Sequence, residues 1–194
     1  MEHIKPNPTR RDVLAWGCGI AAVAVAPQSA LASRRTSTQR KRIMKLIARE
    51  ARSLGVPASL GLAIARAESD FDPYARSHKG ARGLMQIMPR TARTEYGITE
   101  ELLWNPRINA RLGLHFMKRL LIRYKGRVDL ALSYYNGGSA VGDLPNARVI
   151  PATRSYVRKV QKYRAAYNKV QLFEDQHLGF RITGKPISRR GQKL

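Results

Sequence analysis

Between Pro57 and Pro73 the chain reads P-A-S-L-G-L-A-I-A-R-A-E-S-D-F-D-P. Leu60, Leu62, Ala63, Ile64, Ala65 and Ala67 leave almost no polar side on the helix that this stretch predicts. A helix apolar on all sides has no face to offer water, so it belongs in the middle of a domain with other elements packed around it. Pro57 suits its first turn, and Asp72-Pro73 stop it just after Asp70. Glu68, near its end, is therefore a carboxyl carried into apolar surroundings. Local sequence leaves two readings open. Glu68 pairs with a cation, Arg66 being the nearest, or it sits neutral in a cleft with its pKa raised by burial. A carboxylic acid kept protonated near neutral pH is what general-acid cleavage of a glycosidic bond requires.

The rest of the chain supplies helices to surround it. Gln39 to Leu54 carries Ile43, Ile47, Ala51 and Leu54 at helical spacing, closed by Gly55. Residues 74–82 read as a polar loop, and helical signal resumes from Met88 to Glu95. Asn105 is placed to cap a helix with Pro106 at its first position and Ile108, Leu112, Phe116 and Leu120 on one face, ending by Gly126. Val128 to Tyr135 predicts a short apolar helix stopped by Gly137-Gly138. Thr153 is expected to cap a last helix bearing Tyr156, Val157, Val160 and Tyr167. No convincing strand and no internal repeat is present. The expectation is a mainly α, compact domain with long functional loops.

The N-terminus reads as an export signal. Thr9-Arg10-Arg11 precedes an apolar run from Val13 to Ala26, too short to span a bilayer of about 30 Å. Ala30-Leu31-Ala32 has the form of a cleavage site, so residues 1–32 are expected to be removed near Ala32, and the arginine pair also fits a twin-arginine signal. Cys18, the one cysteine, lies within this segment, and its short lead with Trp16 intervening argues against lipidation. The mature chain then has no cysteine for disulfides or thiol chemistry, which suits the periplasm. Residues 33–40 are expected to be a mobile leader, 41–168 the domain, and 169–194 a basic, partly mobile extension.

The net charge is +23. Lys5, Arg10 and Arg11 against Glu2 and Asp12 give the signal +1, leaving +22 on the mature chain. Such a field attracts polyanions. No glycine-aromatic nucleic-acid motif or zinc spacing appears, so an anionic wall or membrane surface is a better partner than nucleic acid. A solvated basic surface with no selected partner is the plainer alternative.

Glu68-Ser69, Phe71, Pro73, Ala75 and Ser77, followed by Gly83-Leu84-Met85-Gln86 and Pro89, closely resemble the catalytic domain of the bacterial soluble-type lytic transglycosylases. The resemblance continues, in order, through Asn105-Pro106, Asn109 and Gly113, then Ala131-Leu132-Ser133-Tyr134-Tyr135-Asn136-Gly137-Gly138, then Ile150-Pro151 and Tyr156-Val157. It covers roughly Lys41 to Tyr167. Several separated matches in order are far more specific than one short motif.

The resemblance implies a lysozyme-like helical fold with loops lining a sugar-binding groove, and peptidoglycan as substrate. Glu68 would be the sole catalytic acid. Ser77 would lie near it and near the substrate's N-acetyl group. Gln86 and Met88 would line sugar subsites, Tyr135 and Asn136 would orient the sugar, and Tyr156 would point its hydroxyl at Glu68. Gly83 and Gly137 would permit close backbone approach. Plainer roles stand beside these: Met88 as core filler, Tyr135 and Tyr156 as packed aromatics. One departure is Ala152-Thr153 where the family usually has a glutamate-threonine pair, removing a carboxylate that would tune Glu68 or brace Tyr156.

Two-carboxylate glycosidases place their acids about 5 to 9.5 Å apart. Asp70 and Asp72 follow Glu68 too closely to oppose it. One glutamate acting as acid and then base, with the muramoyl acetamide assisting, is the expected mechanism, leaving a 1,6-anhydromuramic end. No metal or cofactor is called for; His78, His115 and His177 are scattered. The expected protein is a monomer, with a secretion or surface apparatus as a further partner. A lysozyme-type hydrolase and a weakly catalytic wall-binding protein are the alternatives.

Overall fold

The structure is a computed structural model. It describes the backbone of residues 28–178 and the side chains of residues 36–169. Residues 1–27 of the expected export signal and the tail beyond Leu178 lie outside the described residues. The chain divides into two units, Met1–Arg35 and Thr36–Leu194, and the account below concerns the second.

Among the described residues six α-helices carry the fold: α1 (Gln28–Ser53), α2 (Ala58–Ser69), α3 (Pro89–Tyr96), α4 (Pro106–Arg123), α5 (Val128–Gly137) and α6 (Arg154–Leu178). Short 3-10 helices at Glu100–Trp104, Gly138–Val141 and Pro151–Thr153 join them. Among the described residues there is no strand, only isolated bridges pairing Arg82 with Arg76 and with Ile87. The mainly α expectation holds.

Two helix ends differ from the sequence reading. The first helix, read from the sequence as starting at Gln39, starts at Gln28. No glycine or proline stands between Pro27 and Gly55, so nothing in the chain interrupts the helix there. The last helix continues to Leu178, past the expected boundary at 168, because polar residues that blur an apolar pattern need not break the backbone.

The central helix is α2. Ala58, Ser59, Leu60, Gly61, Ala63, Ile64 and Ala65 are all buried, as an all-round apolar helix must be. A side chain at Gly61 would begin 2.8 Å from Leu114 and about 3.5 Å from Ala51 and Ile47, so α1 and α4 meet α2 at this point. On another side α6 lies along α2, and α5 packs on both α4 and α6. The core they share includes Ile47, Leu60, Ile64, Leu114, Met117, Leu130, Leu132 and Val160, all essentially inaccessible. Each such aliphatic side chain contributes about 1.5–3 kcal/mol of transfer free energy.

Helix ends follow their local chemistry. Asn105 Oδ1 accepts from the Arg107 and Ile108 amides at 3.0 and 3.2 Å, with Pro106 at the first position. Thr153 precedes α6 as expected but is not used as its side-chain cap. Its hydroxyl turns inward, donating to the Ile150 carbonyl at 3.1 Å and meeting Ser133 Oγ at 2.6 Å. Thr153 is almost wholly buried, and a buried hydroxyl takes the partner within reach rather than a solvent-facing helix end.

Candidate active site

The end of α2 delivers Glu68. Asp70 closes the helix in the left-handed region, its amide donating to the Arg66 carbonyl at 3.2 Å. Glu68 as a residue is half-buried, but its carboxyl is well shielded. The Tyr156 hydroxyl, reaching across from α6, donates to Glu68 Oε1 at 2.6 Å. One turn further along α6, Lys159 Nζ donates to the Ala67 carbonyl at 3.1 Å. Burial pushes the Glu68 carboxyl above its ordinary value, and the opposing pull of Tyr156 and Lys159 does not cancel it.

The ion-pair reading of Glu68 does not hold. The Arg66 guanidinium lies over the Tyr163 ring, 4.2 Å from its centroid, and faces Tyr167 at 6.0 Å. The nearby acids are also engaged elsewhere. Asp70 forms a two-pronged pair with Arg40 at 2.7 and 2.9 Å, and Asp72 accepts the Tyr74 amide at 2.9 Å. Among the described residues, the groups acting on Glu68's charge are Tyr156 and Lys159, with no carboxylate among them.

A neighbouring wall is the segment Gly83-Leu84-Met85-Gln86-Ile87-Met88. Arg82 and Ile87 exchange both backbone hydrogen bonds at 3.0 Å, with Gln86 at φ +48° completing the reversal. Ser69, next to Glu68, donates to the Leu84 carbonyl at 3.0 Å, which ties this segment to the end of α2. Tyr135 on α5 donates to the Met85 carbonyl at 2.9 Å. Burial first, then the charge of Glu68, pushes the hydroxyls of Tyr135 and Tyr156 well above the ordinary tyrosine value. Both therefore remain proton donors, and both lie within the electrostatic reach of Glu68.

Glu68, Tyr135 and Tyr156 are thus brought together. Met88 stands just before α3 and is 40% exposed, too open for core filler. Asn136 is exposed on the last turn of α5. Gln86 donates its amide hydrogens to the Ala75 and Gly83 carbonyls at 3.1 and 3.0 Å, so it braces its own loop. Ser77 Oγ accepts the Ala81 amide at 3.0 Å, holding the 77–81 turn; no bond joins it to Glu68 among the described contacts. Ala152 is exposed in the turn before α6, while its neighbour Thr153 is locked to Ser133.

Gly83 has φ +72°, and a β-carbon there would fall 2.4 Å from Asn109 Nδ2 and 2.8 Å from the Leu103 carbonyl oxygen. Only glycine fits. Asn109, fully buried, organises the wall: its Oδ1 accepts the Met85 amide at 2.8 Å, and its Nδ2 donates to the Arg82 and Leu103 carbonyls at 2.8 and 3.0 Å. Neither Asn109 nor Lys159 stood out as a site residue in the sequence. The signal for Asn109 was an amide among the inward positions of α4; for Lys159 it was its place one turn from Tyr156.

The family model described as "Transglycosylase SLT domain" matches residues 45–145, and the chain belongs to that family. A "Membrane-bound lytic murein transglycosylase C" of Glaesserella parasuis is 34% identical over 114 residues, which are 51% of this chain and 31% of that protein. A "Putative soluble lytic murein transglycosylase" of Haemophilus influenzae is 30% identical over 146 residues, 65% of this chain and 25% of that protein. Among solved structures, an inactive glutamate-to-glutamine mutant of lytic transglycosylase Slt from Pseudomonas aeruginosa superposes with a TM-score of 0.56 at 30% identity, covering 70% of this chain and 24% of that one. The 70 kDa soluble lytic transglycosylase SLT70 of Escherichia coli gives 0.57 at 26% identity, covering 74% and 27%. The fold is the lysozyme-like one of these structures. This chain spans about a quarter to a third of the length of these relatives.

Proposed function

We propose that this chain is a peptidoglycan lytic transglycosylase in which Glu68 acts first as acid and then as base. One observation carries the reading: a shielded glutamate with a raised pKa, hydrogen-bonded to Tyr156 and with no carboxylate among the described groups acting on it. The relatives' names supply the substrate, murein, and an inactive form of one relative differs by a glutamate-to-glutamine change.

Protonated Glu68 gives its proton to the oxygen linking N-acetylmuramic acid C1 to N-acetylglucosamine C4. The C1–O bond breaks with its electron pair on that oxygen, leaving a free 4-hydroxyl. The muramoyl acetamide carbonyl stabilises the cationic C1. The new Glu68 carboxylate is met by the Tyr156 hydroxyl and the nearby Lys159 ammonium, then takes the proton of the muramoyl C6 hydroxyl. O6 closes on C1 to give the 1,6-anhydro ring, and no water is consumed. Ser77, Gly83, Gln86, Met88, Tyr135 and Asn136 are assigned to the sugar-binding groove on the family's pattern; Tyr135 and Met88 have the best support, from the first's place beside Glu68 and the second's exposure. Export through residues 1–32 to the periplasm, and action as a monomer that opens the wall for a secretion or surface apparatus, belong to the same reading. Among the described residues no helix is long and apolar enough to cross a membrane.

The test is muropeptide mass analysis after digestion of purified sacculi. Anhydro ends from the parent and none from Glu68→Gln are expected. Products heavier by one water with a reducing end would make it a hydrolase instead, and clearing by Glu68→Gln equal to the parent would remove Glu68 from the chemistry.

A further inference from the structure

Immediately after Glu68 and Ser69, Asp70 and Phe71 have φ of +51° and +71°. Two consecutive non-glycine residues in the left-handed region are costly, and a bulky aromatic there is a true outlier. Such a turn persists only where its surroundings over-determine it. Here one side chain from another helix does so. Arg40 of α1 donates to the Asp70 carbonyl oxygen at 2.8 Å and to both its carboxylate oxygens at 2.9 and 2.7 Å, and its guanidinium lies 4.5 Å from the centre of the Phe71 ring. One planar group thus holds three acceptors and a ring belonging to the two strained residues.

The hold continues to the helix that carries Glu68's partners. Phe71 is buried and meets Tyr167 edge-on at 6.4 Å. Tyr167 and Tyr163 flank Arg66 of α2. Tyr163 and Tyr167 stand on the same helix as Tyr156 and Lys159, so the ladder Arg40–Phe71–Tyr167–Arg66–Tyr163 sets the end of α2 against α6. The 2.6 Å contact between Tyr156 and Glu68 needs that register. Were residues 70 and 71 to relax into ordinary right-handed helix, the chain after Ser69 would leave in another direction, and the Ser69–Leu84 bond and the Phe71–Tyr167 contact that hold the end of α2 in register with α6 would be lost.

We propose that Arg40 and Asp70 are positioning residues that hold the strained turn behind Glu68 and thereby fix its carboxyl on Tyr156. The inference rests on the reading of Glu68 as the catalytic acid. Both side chains are accessible, at 37% and 68%, so as an ion pair they add little to stability. Their effect on geometry is what the reaction would register, since misplacing a reacting group by about 1 Å costs up to a hundredfold in rate.

The test compares Arg40→Met with Asp70→Asn, the second keeping a residue that tolerates left-handed backbone. The charged and titratable groups around Glu68 are Tyr156 and Lys159 from α6 and Tyr135 from α5; Arg40 is not among those acting on it. Each variant is expected to lower kcat about tenfold, leave KM within about twofold, and shift melting by no more than a few degrees. Glu68 titration is followed by carbon-13 NMR of its carboxyl, which reads the geometry without any turnover. Loss of the Tyr156 bond raises the Glu68 pKa, so positioning predicts an upward shift in both variants. A bare charge effect predicts opposite shifts, up on removing Arg40 and down on removing Asp70. Opposite shifts, or parental kcat and titration in both, overturn the proposal. Should the parent fail to cleave peptidoglycan, the catalytic reading falls, and the NMR shifts still decide the clamp.

Discussion

Glu68 and Tyr156 face each other with opposite demands on one proton. Burial favours the protonated carboxyl, while the tyrosine hydroxyl favours the carboxylate. Tyr156→Phe removes the opposing pull, so the Glu68 pKa rises further. Activity that needs the acid form is lost as pH climbs through that pKa, and the alkaline limb of the pH–rate profile should therefore move to higher pH while the maximal rate falls, by about ten- to a hundredfold. A profile that stays in place or moves toward acid would contradict the assignment. Glu68 also carries a stability consequence. A carboxyl whose folded pKa is raised binds its proton more tightly in the native state, so stability is full below the unfolded glutamate pKa and is lost as pH rises through the folded pKa. Glu68→Gln should melt higher than the parent at neutral and alkaline pH, with the difference vanishing in acid. Equal melting at all pH values would mean the carboxyl is not shielded.

The 83–88 wall is a loop given the rigidity of an element. Its backbone groups end on Asn109, a single amide on α4, and its closest approach is made by Gly83. Asn109→Ala would strand the Met85 amide and the Leu103 carbonyl, each at about 1 kcal/mol or more, while the Arg82 carbonyl keeps the Ile87 amide. A loss of about 2 kcal/mol in denaturant unfolding at unchanged m-value is expected, together with loss of activity. A loss under about 0.5 kcal/mol would show that water or a neighbour replaces the amide readily. Elsewhere on the chain Thr153 and Ser133 do similar work for α6. Their buried hydroxyl pair, with Ile150 donating to Ser133 at 3.3 Å, sets the start of the helix that presents Tyr156. An exposed Ala152 beside it leaves that start held without a carboxylate.

Across the domain, most described acids are taken up by arginines, and a large cationic excess remains. Glu50 is the buried case, its side chain 3% exposed and held by Arg107 and Arg111 at 2.9 and 3.0 Å. Burial pushes its pKa up, but the two arginines outweigh that and leave it lowered. Its contribution is therefore present above the unfolded glutamate pKa and lost as pH falls through the folded one, the reverse of Glu68. Because both arginines are more than half exposed, Glu50→Gln should cost only about 1 kcal/mol near neutral pH, a gap that closes in acid; thermal melts from pH 7 downward check it, and a gap that widened in acid would be the wrong sign. Lys41, Arg42, Lys45, Arg49 and Arg52 line the exposed side of α1, with no ion pair among the described residues. Replacing Lys41, Lys45, Arg49 and Arg52 by glutamine should weaken retention of the Glu68→Gln protein on sacculi several-fold at low salt, with little difference once salt screens the parent. Unchanged retention would leave the basic face merely solvated.

Much of this was legible in the residues because it is local. An all-round apolar helix can only be central, Asn105-Pro106 caps α4 by contacts two and three residues away, and Gly55 and Gly126 follow helix ends through their own backbone freedom. Glu68 and Tyr156 could be nominated on the same footing, as residue types in an ordered set of motifs. What the chain alone could not decide was which partner each polar group takes. Arg66 is two residues from Glu68, yet it stacks on Tyr163, 97 residues later in the chain. Thr153 could cap a helix, yet it meets Ser133, and Asn109 and Arg40 acquire their roles only once distant loops and helices lie against them. Hydrogen bonds and ring contacts act over a few ångströms of space, whatever the separation along the sequence. They are settled by packing, after the apolar pattern has already determined which surfaces meet.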